Sequence, residues 1–331
     1  MKLITILGYL LFSLLADAQV EKKQIDELEK FKLKNIIQMD DFFSPHVIVV
    51  EKATHRLFVY QNQQGKPKLI AQFETATGEV PGDKIKEGDK KTPEGVYQLT
   101  RFFSSEQLFK MYGDYAKTYG AGAFELNYPN PIDKRLGKTG SGIWLHSTDD
   151  ENRIAKGLDS RGCIVVNDQN LKNISQYINL SSQTPIIVTQ NLDFWSEQTW
   201  SKAKNQLNEF IENWRNSWEK MDLEKYLGHY HPKLFRDHRN RGIQHWRSHK
   251  KGVFQNAKDV KIQLDHISIF ISGKSAVINL MQNYHSNLVS DTGKKTLYLM
   301  QDEKYQWKII GEVWSKINHQ IADLQPQNYF N

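Results

Sequence analysis

The hydrophobic pattern of this chain changes period once, near Phe194, and that change limits what the chain can fold into. Before it, apolar residues come in short β-branched or aromatic runs broken by polar turns. His46-Val-Ile-Val-Val50 and Arg56-Leu-Phe-Val-Tyr60 flank the polar stretch from Glu51 to His55, which predicts a hairpin. Residues 69–75, 95–100, 143–146 and 186–189 predict further strands, and 168–178 predicts a helix. The glycine- and charge-rich stretch 78–94 predicts a long central loop. After Phe194, the residues Trp200, Ala203, Leu207, Phe210, Ile211, Trp214, Trp218 and Met221 recur at steps of three and four, the mark of an amphipathic helix. Runs at 258–271, 274–284, 294–301 and 305–315 then predict four strands joined by short turns. The expected organisation is a mostly-β domain over 44–191 and a separate α+β domain over 196–331.

The N-terminus carries a different signal. Lys2 is followed by the apolar run Leu3 to Leu15 and by Ala16-Asp17-Ala18, a small-x-small pattern. Residues 1–18 therefore predict a signal peptide, export to the periplasm, and a mature chain beginning at Gln19. An uncleaved anchor is the alternative. The run is short for a bilayer span and no later segment approaches that length, so no stable membrane span is expected after processing. Residues 19–43 are charged, with Ile25, Leu28, Phe31 and Ile36 at near-helical intervals, and predict an exposed N-terminal helix. The net charge of +6 suits an anionic wall or membrane surface. Export argues against nucleic acid.

Cys163 is the only cysteine, so it staples no intramolecular disulfide. By count alone a buried inert thiol is its simplest role, and its neighbours point elsewhere. Gly142-Ile-Trp-Leu-His146-Ser147 is followed after a loop by Ser160-Arg-Gly-Cys163-Ile164. A cysteine acts as a nucleophile through its thiolate, which a nearby imidazole helps to form. His146 closes an apolar strand and Cys163 follows a glycine in a polar turn, where backbone N–H groups can converge on an oxyanion. Trp144 shares a strand face with His146. A core histidine beside an unrelated thiol remains the alternative on these residues alone.

The same residues resemble the active-site signature of the L,D-transpeptidase catalytic domain, or YkuD domain. Thr92-Pro-Glu-Gly95-Val-Tyr97, Leu126-Asn-Tyr-Pro-Asn130 through Asp133, and Gly137-Lys-Thr-Gly140 extend the resemblance over about 44–191. It implies cysteine chemistry on peptidoglycan tetrapeptide stems at the diaminopimelate–D-alanine bond, with no metal or organic cofactor. Cys163 would be the nucleophile and His146 its base, oriented by the main-chain carbonyl of Ser147. The amides of Arg161, Gly162 and Cys163 would form the oxyanion hole, and Ser160, Trp144 and Tyr128 would contact substrate. Val165 stands where many members carry arginine, with Arg161 or Arg135 as the candidates to take over its role. The second half resembles a nuclear transport factor 2-like domain, and the pairing resembles L,D-carboxypeptidases that set cell shape. Hydrolysis is expected, with amine transfer as the alternative, a vestigial wall-binding scaffold as a remote one, and a generic cysteine protease disfavoured for want of a third partner residue. The second domain offers a pocket or a homodimer surface. Its His245 and His249 share a helical face, but no further ligand set accompanies them, so no metal is expected. Its basic stretch with Phe235 and Trp246 fits either a glycan-binding face or a charged surface over core aromatics.

Overall fold

A computed structural model describes residues 31–148, 150–316 and 327–330. Residues 1–18 and the first part of the expected N-terminal helix lie outside them. Among the described residues no helix is long and apolar enough to cross a membrane.

The first half is built on an eight-stranded sheet. Its order is Ile164–Asn167, Trp144–Thr148, Gly122–Leu126, Gly95–Ser104, Pro185–Thr189, His46–Glu51, Arg56–Gln63 and Lys66–Glu74. The expected hairpin is present, with Val49 opposite Phe58. Alternation along a strand explains why His46–Glu51 reads as an unbroken apolar run: it is buried on both faces. Ile48 and Val50 face a core that also holds Leu99, Phe124, Leu145 and Val166, closed by Leu171 and Ile174 of the helix Asp168–Ser175. Val47 and Val49 face the other way, against Phe270, Val277, Tyr298 and Ile310 of the second half.

That second half is a five-stranded antiparallel sheet with the helix Glu197–Glu219 laid across it. Trp200, Leu207, Ile211, Trp214 and Trp218 of the helix are buried against Ile269, Ile278, Leu297 and Leu299 of the sheet. Ser196 caps the helix by accepting from the Thr199 amide. The two halves share one apolar seam, and polar links cross it. Gln98 Nε2 donates to Asn279 Oδ1 at 3.1 Å, and the buried Lys294 donates to the Ser182 carbonyl at 2.7 Å.

The N-terminal helix expected over 19–43 is corrected where it is described. Phe31–Leu33 is a strand paired with Phe194–Ser196, and Ile36–Gln38 is a strand paired with Lys261–Ser272, forming the fifth strand of the second sheet. A two-stranded pairing with Phe194–Ser196 and the edge of the second sheet satisfy backbone groups that a lone helix would also satisfy, but the strand adds burial. Ile36 enters the seam and its neighbour Ile37 enters the second core. Only a period of two can send adjacent side chains into two different cores.

Candidate active site

The strand Trp144–Thr148 is buried throughout. Leu145 points into the first core, so Trp144 and His146 project from the opposite face. After Thr148 the chain crosses over through the helix Glu151–Lys156 and the short strand Leu158–Ser160. It re-enters the sheet as Ile164–Asn167, parallel to the strand it left, with Val165 opposite His146. This parallel crossover brings Cys163, the residue just before the returning strand, beside a histidine 17 positions earlier (163 − 146).

The turn that carries the cysteine is tied by one hydroxyl. Ser160 Oγ accepts from the Gly162 amide at 3.0 Å and donates to the Cys163 carbonyl at 2.6 Å. Gly162 has φ +126°, and a Cβ there would come within 2.7 Å of the Lys91 carbonyl oxygen. Both facts demand glycine. Gly162→Ala is expected to displace the thiol and lower activity at least tenfold while far-ultraviolet circular dichroism stays unchanged, because the strain is confined to the turn.

His146 is 2% exposed. Its Nδ1–H donates to the Ser147 carbonyl at 2.8 Å, a tautomer that leaves the Nε2 lone pair free. Tyr119 packs nearly perpendicular to the imidazole, with ring centroids 5.0 Å apart. Burial pulls the imidazole down to about 4, against the opposing pull of the Ser147 carbonyl, and Arg153 lowers it further. Burial pushes the Cys163 thiol up to about 11, while the Trp144 amide, Arg153 and Lys84 act in the other direction. At neutral pH both groups are therefore uncharged at rest. The sulfur lies 3.7 Å from the Gly142 carbonyl oxygen.

His146 and Cys163 open on one cavity of about 670 Å³, together with Tyr119, Arg153, Ser160 and Arg161. The loop 78–94 forms part of its wall, with little regular structure of its own. Buried lysines hold it. Lys52 donates to the carbonyls of Gly82 and Thr92 and pairs with Glu94. Lys84 pairs with Asp89 at 2.7 Å, and Asp89 also accepts from the amides of Ile85, Lys86 and Lys91. Those four donors hold the Asp89 carboxyl well below its ordinary range although burial opposes them. Lys138 bridges Asp83 and Asp133 at 2.7 and 3.2 Å.

Several expectations about site residues change. Ser160, Arg161, His146 and Cys163 come together as expected, and the Ser147 carbonyl orients the imidazole. The Gly162 amide is engaged by Ser160 Oγ, so it is not an open oxyanion donor. Trp144 shares the face of His146 but packs into a small core with Phe103, Leu108 and Ala123, behind the cavity. Tyr128 is also buried, its hydroxyl donating to the Thr139 carbonyl. Both are large aromatic side chains beside apolar clusters, and burial claims them. Val165 shares the sheet face of His146, its neighbour on the adjoining strand, but it is fully buried and does not line the cavity. Arg135 lines a different cavity, next to Arg236 and Trp314. The cation that the sequence left unassigned is Arg153, on the crossover helix. Nothing in its local sequence marks it.

In the second half, Phe235 and Trp246 are core residues. Lys250, from the same basic stretch, is buried with its ammonium 4.6 Å from the Trp218 ring and 4.7 Å from the Trp246 ring. Among the described residues no group of three histidines, cysteines or carboxylates converges as a metal would require.

A fixed neutral imidazole on one strand and a thiol in the turn entering the next, opening on one cavity, are the parts from which cysteine acyl-transfer enzymes are made. Residues 45–188 match the L,D-transpeptidase catalytic domain, YkuD, and residues 206–313 match the Cds6 C-terminal NTF2-like domain. Bd1075 of Bdellovibrio bacteriovorus is 32% identical with a TM-score of 0.75, and the alignment covers 88% of this chain and all of that one. The helical cell shape determining protein Pgp2 of Campylobacter jejuni is 27% identical with a TM-score of 0.66, covering 85% of this chain and 95% of that one. No curated protein matches. The chain belongs to the L,D-transpeptidase (YkuD) family, in the two-domain form that ends in an NTF2-like domain.

Proposed function

We propose that this chain is an exported L,D-carboxypeptidase that removes the terminal D-alanine from peptidoglycan tetrapeptide stems. The observation that carries the reading is the His146 Nδ1 bond to Ser147, which fixes the tautomer that leaves Nε2 as a proton acceptor on a ring lining the same cavity as Cys163. His146 takes the thiol proton as the sulfur attacks the carbonyl of the diaminopimelate L-centre. The oxyanion that forms is met by the amides of Arg161 and Cys163, the donors left once Ser160 engages Gly162. Collapse of this intermediate breaks the amide bond. His146 returns its proton to the departing amine of D-alanine, leaving a thioester on Cys163. Water, deprotonated by His146, then attacks the thioester, releasing the tripeptide and restoring the thiol.

Support for hydrolysis over transfer comes from the shared two-domain form with Pgp2, described as a cell shape determinant. Support for a periplasmic site of action comes from the N-terminal Lys2, Leu3 to Leu15 and Ala16-Asp17-Ala18.

Product analysis tests the proposal. The protein lacking residues 1–18 is incubated with disaccharide-tetrapeptide beside a Cys163→Ala control, and the products are weighed by mass spectrometry. Disaccharide-tripeptide from the unmutated protein alone is expected. Crosslinked or amine-exchanged product, again dependent on Cys163, would establish L,D-transpeptidase activity instead.

A further inference from the structure

Charge around the cavity is largely paired off. Lys84 is neutralised by Asp89, Glu79 by Lys90, and Lys117 by Asp114. Glu87, Asp150 and Arg161 line the cavity with no ion pair among the described residues, and one further cluster holds two cations on one carboxylate. Asp159 takes Arg153 Nε on one oxygen at 2.5 Å and Lys156 Nζ on the other at 3.2 Å. Two cations share one carboxylate, so the cluster keeps one positive charge.

Arg153 is also the better placed of the two cations to use that charge. Its side chain is 14% exposed and lines the cavity with Cys163, whereas that of Lys156 is 61% exposed and does not line it. A second bond, from Nη1 to the Thr118 carbonyl at 2.9 Å, ties the guanidinium to the segment that carries Tyr119. The remaining nitrogen, Nη2, has no hydrogen-bond partner among the described residues. A guanidinium fixed by two bonds, partly desolvated and with donors to spare, is suited to a carboxylate. It loses little side-chain entropy on binding one. Arg161, the other arginine of the lining, is exposed, where solvent screens its charge.

We propose that Arg153 reads the free carboxylate of the residue that leaves, so that the enzyme acts on stems ending at the scissile residue. The inference rests on the stem-cleaving reading above and adds to it a residue that sets specificity. A stem whose terminal carboxylate is replaced, whether by an amide or by a further amino acid, places a neutral group against the Arg153 guanidinium. Water excluded from that contact makes the mismatch costly.

The test pairs two substrates with four proteins. Disaccharide-tetrapeptide with a free terminal carboxylate is compared with the same stem ending in a primary carboxamide, and kcat/KM is measured for release of D-alanine or D-alaninamide. The unmutated protein is expected to prefer the acid about 100-fold, the fold-change expected of one charge-assisted contact. In Arg153→Gln the preference falls to within threefold of unity. Arg153→Lys retains a reduced preference, and Arg161→Gln keeps the full one. Because each preference is a ratio within one sample, it does not depend on how much of a variant is folded. Equal rates on both stems in the unmutated protein would overturn the proposal. So would an undiminished preference in Arg153→Gln. If the unmutated protein releases D-alanine from neither stem, the stem-cleaving reading fails, and the role of Arg153 fails with it.

Discussion

His146→Gln is expected to lower kcat/KM by about 10³- to 10⁴-fold, the upper part of the range for loss of a general base. Glutamine keeps a donor for the Ser147 carbonyl but has no group that accepts a proton from the thiol. The pH dependence follows from the same geometry. With the imidazole held at about 4, the base form is present above that pH and is lost as pH falls through it. The acid limb of kcat/KM therefore lies near 4 rather than at the 6.5 of an ordinary histidine. With the thiol raised to about 11 from 9.0, the free enzyme at neutral pH holds roughly a hundredfold less thiolate than an ordinary cysteine. Alkylation by iodoacetamide should be slow at pH 7 and climb towards about 11. A resting thiolate–imidazolium pair would instead give fast alkylation on a plateau from acid to neutral pH. The proton is thus expected to move during attack, with the oxyanion donors sharing the developing charge.

The second large effect concerns stability. Lys138 is 6% exposed and lies between Asp83 and Asp133, of which Asp133 is 2% exposed. Lys138→Met removes the cation and strands two carboxylates, costing about 3–5 kcal/mol. Burial already raises the Asp133 carboxyl, with Lys138 opposing that rise, so loss of the lysine favours the protonated acid there. That limits the damage without abolishing it. A fall of about 10 °C in Tm is expected by calorimetry. Because Asp83 also accepts from the Glu94 amide, the loop 78–94 loses an anchor, and activity should fall with stability. A variant as stable as the parent would show that the loop is held by its other contacts alone.

Local pattern made some of this legible and left the rest hidden. The strands of the first sheet follow from β-branched runs. The helix Glu197–Glu219 follows from its apolar stripe, although the last expected position, Met221, lies past its end; of the seven inside it, five are buried against the sheet (Trp200, Leu207, Ile211, Trp214, Trp218). Cys163 and His146 were legible because glycine, serine and histidine stand at fixed places around a lone thiol. The helix Ser105–Tyr112 beside the cavity was missed although its signal is present. Ser104 and Gln107 form a capping box, with Ser104 Oγ accepting from the Gln107 amide and Gln107 Oε1 accepting from the Ser104 amide. The strands at 31–38 were misread because their spacing resembles a helix while strands distant in sequence supply their partners. Arg153 and the lysines of the loop wall had no local signature. Some have partners close by, such as Lys84 with Asp89 and Arg153 with Asp159, but their meaning depends on others 30 to 55 positions away, such as Lys52 with Gly82 and Lys138 with Asp83, and on a cavity assembled from several segments. Polar networks of this kind are specified by tertiary packing, which no periodicity records.

Whether Cys163 carries the acyl group is decided by trapping that group on the protein. The protein lacking residues 1–18 would be mixed with disaccharide-tetrapeptide, quenched in acid within milliseconds to seconds, and digested for peptide mass mapping. The predicted result is a thioester adduct of the disaccharide-tripeptide acyl group on the peptide containing Cys163, absent from Cys163→Ala and persisting longer when amine acceptors and water activity are reduced. Turnover that continues in Cys163→Ala, or an adduct on any other residue, would contradict it.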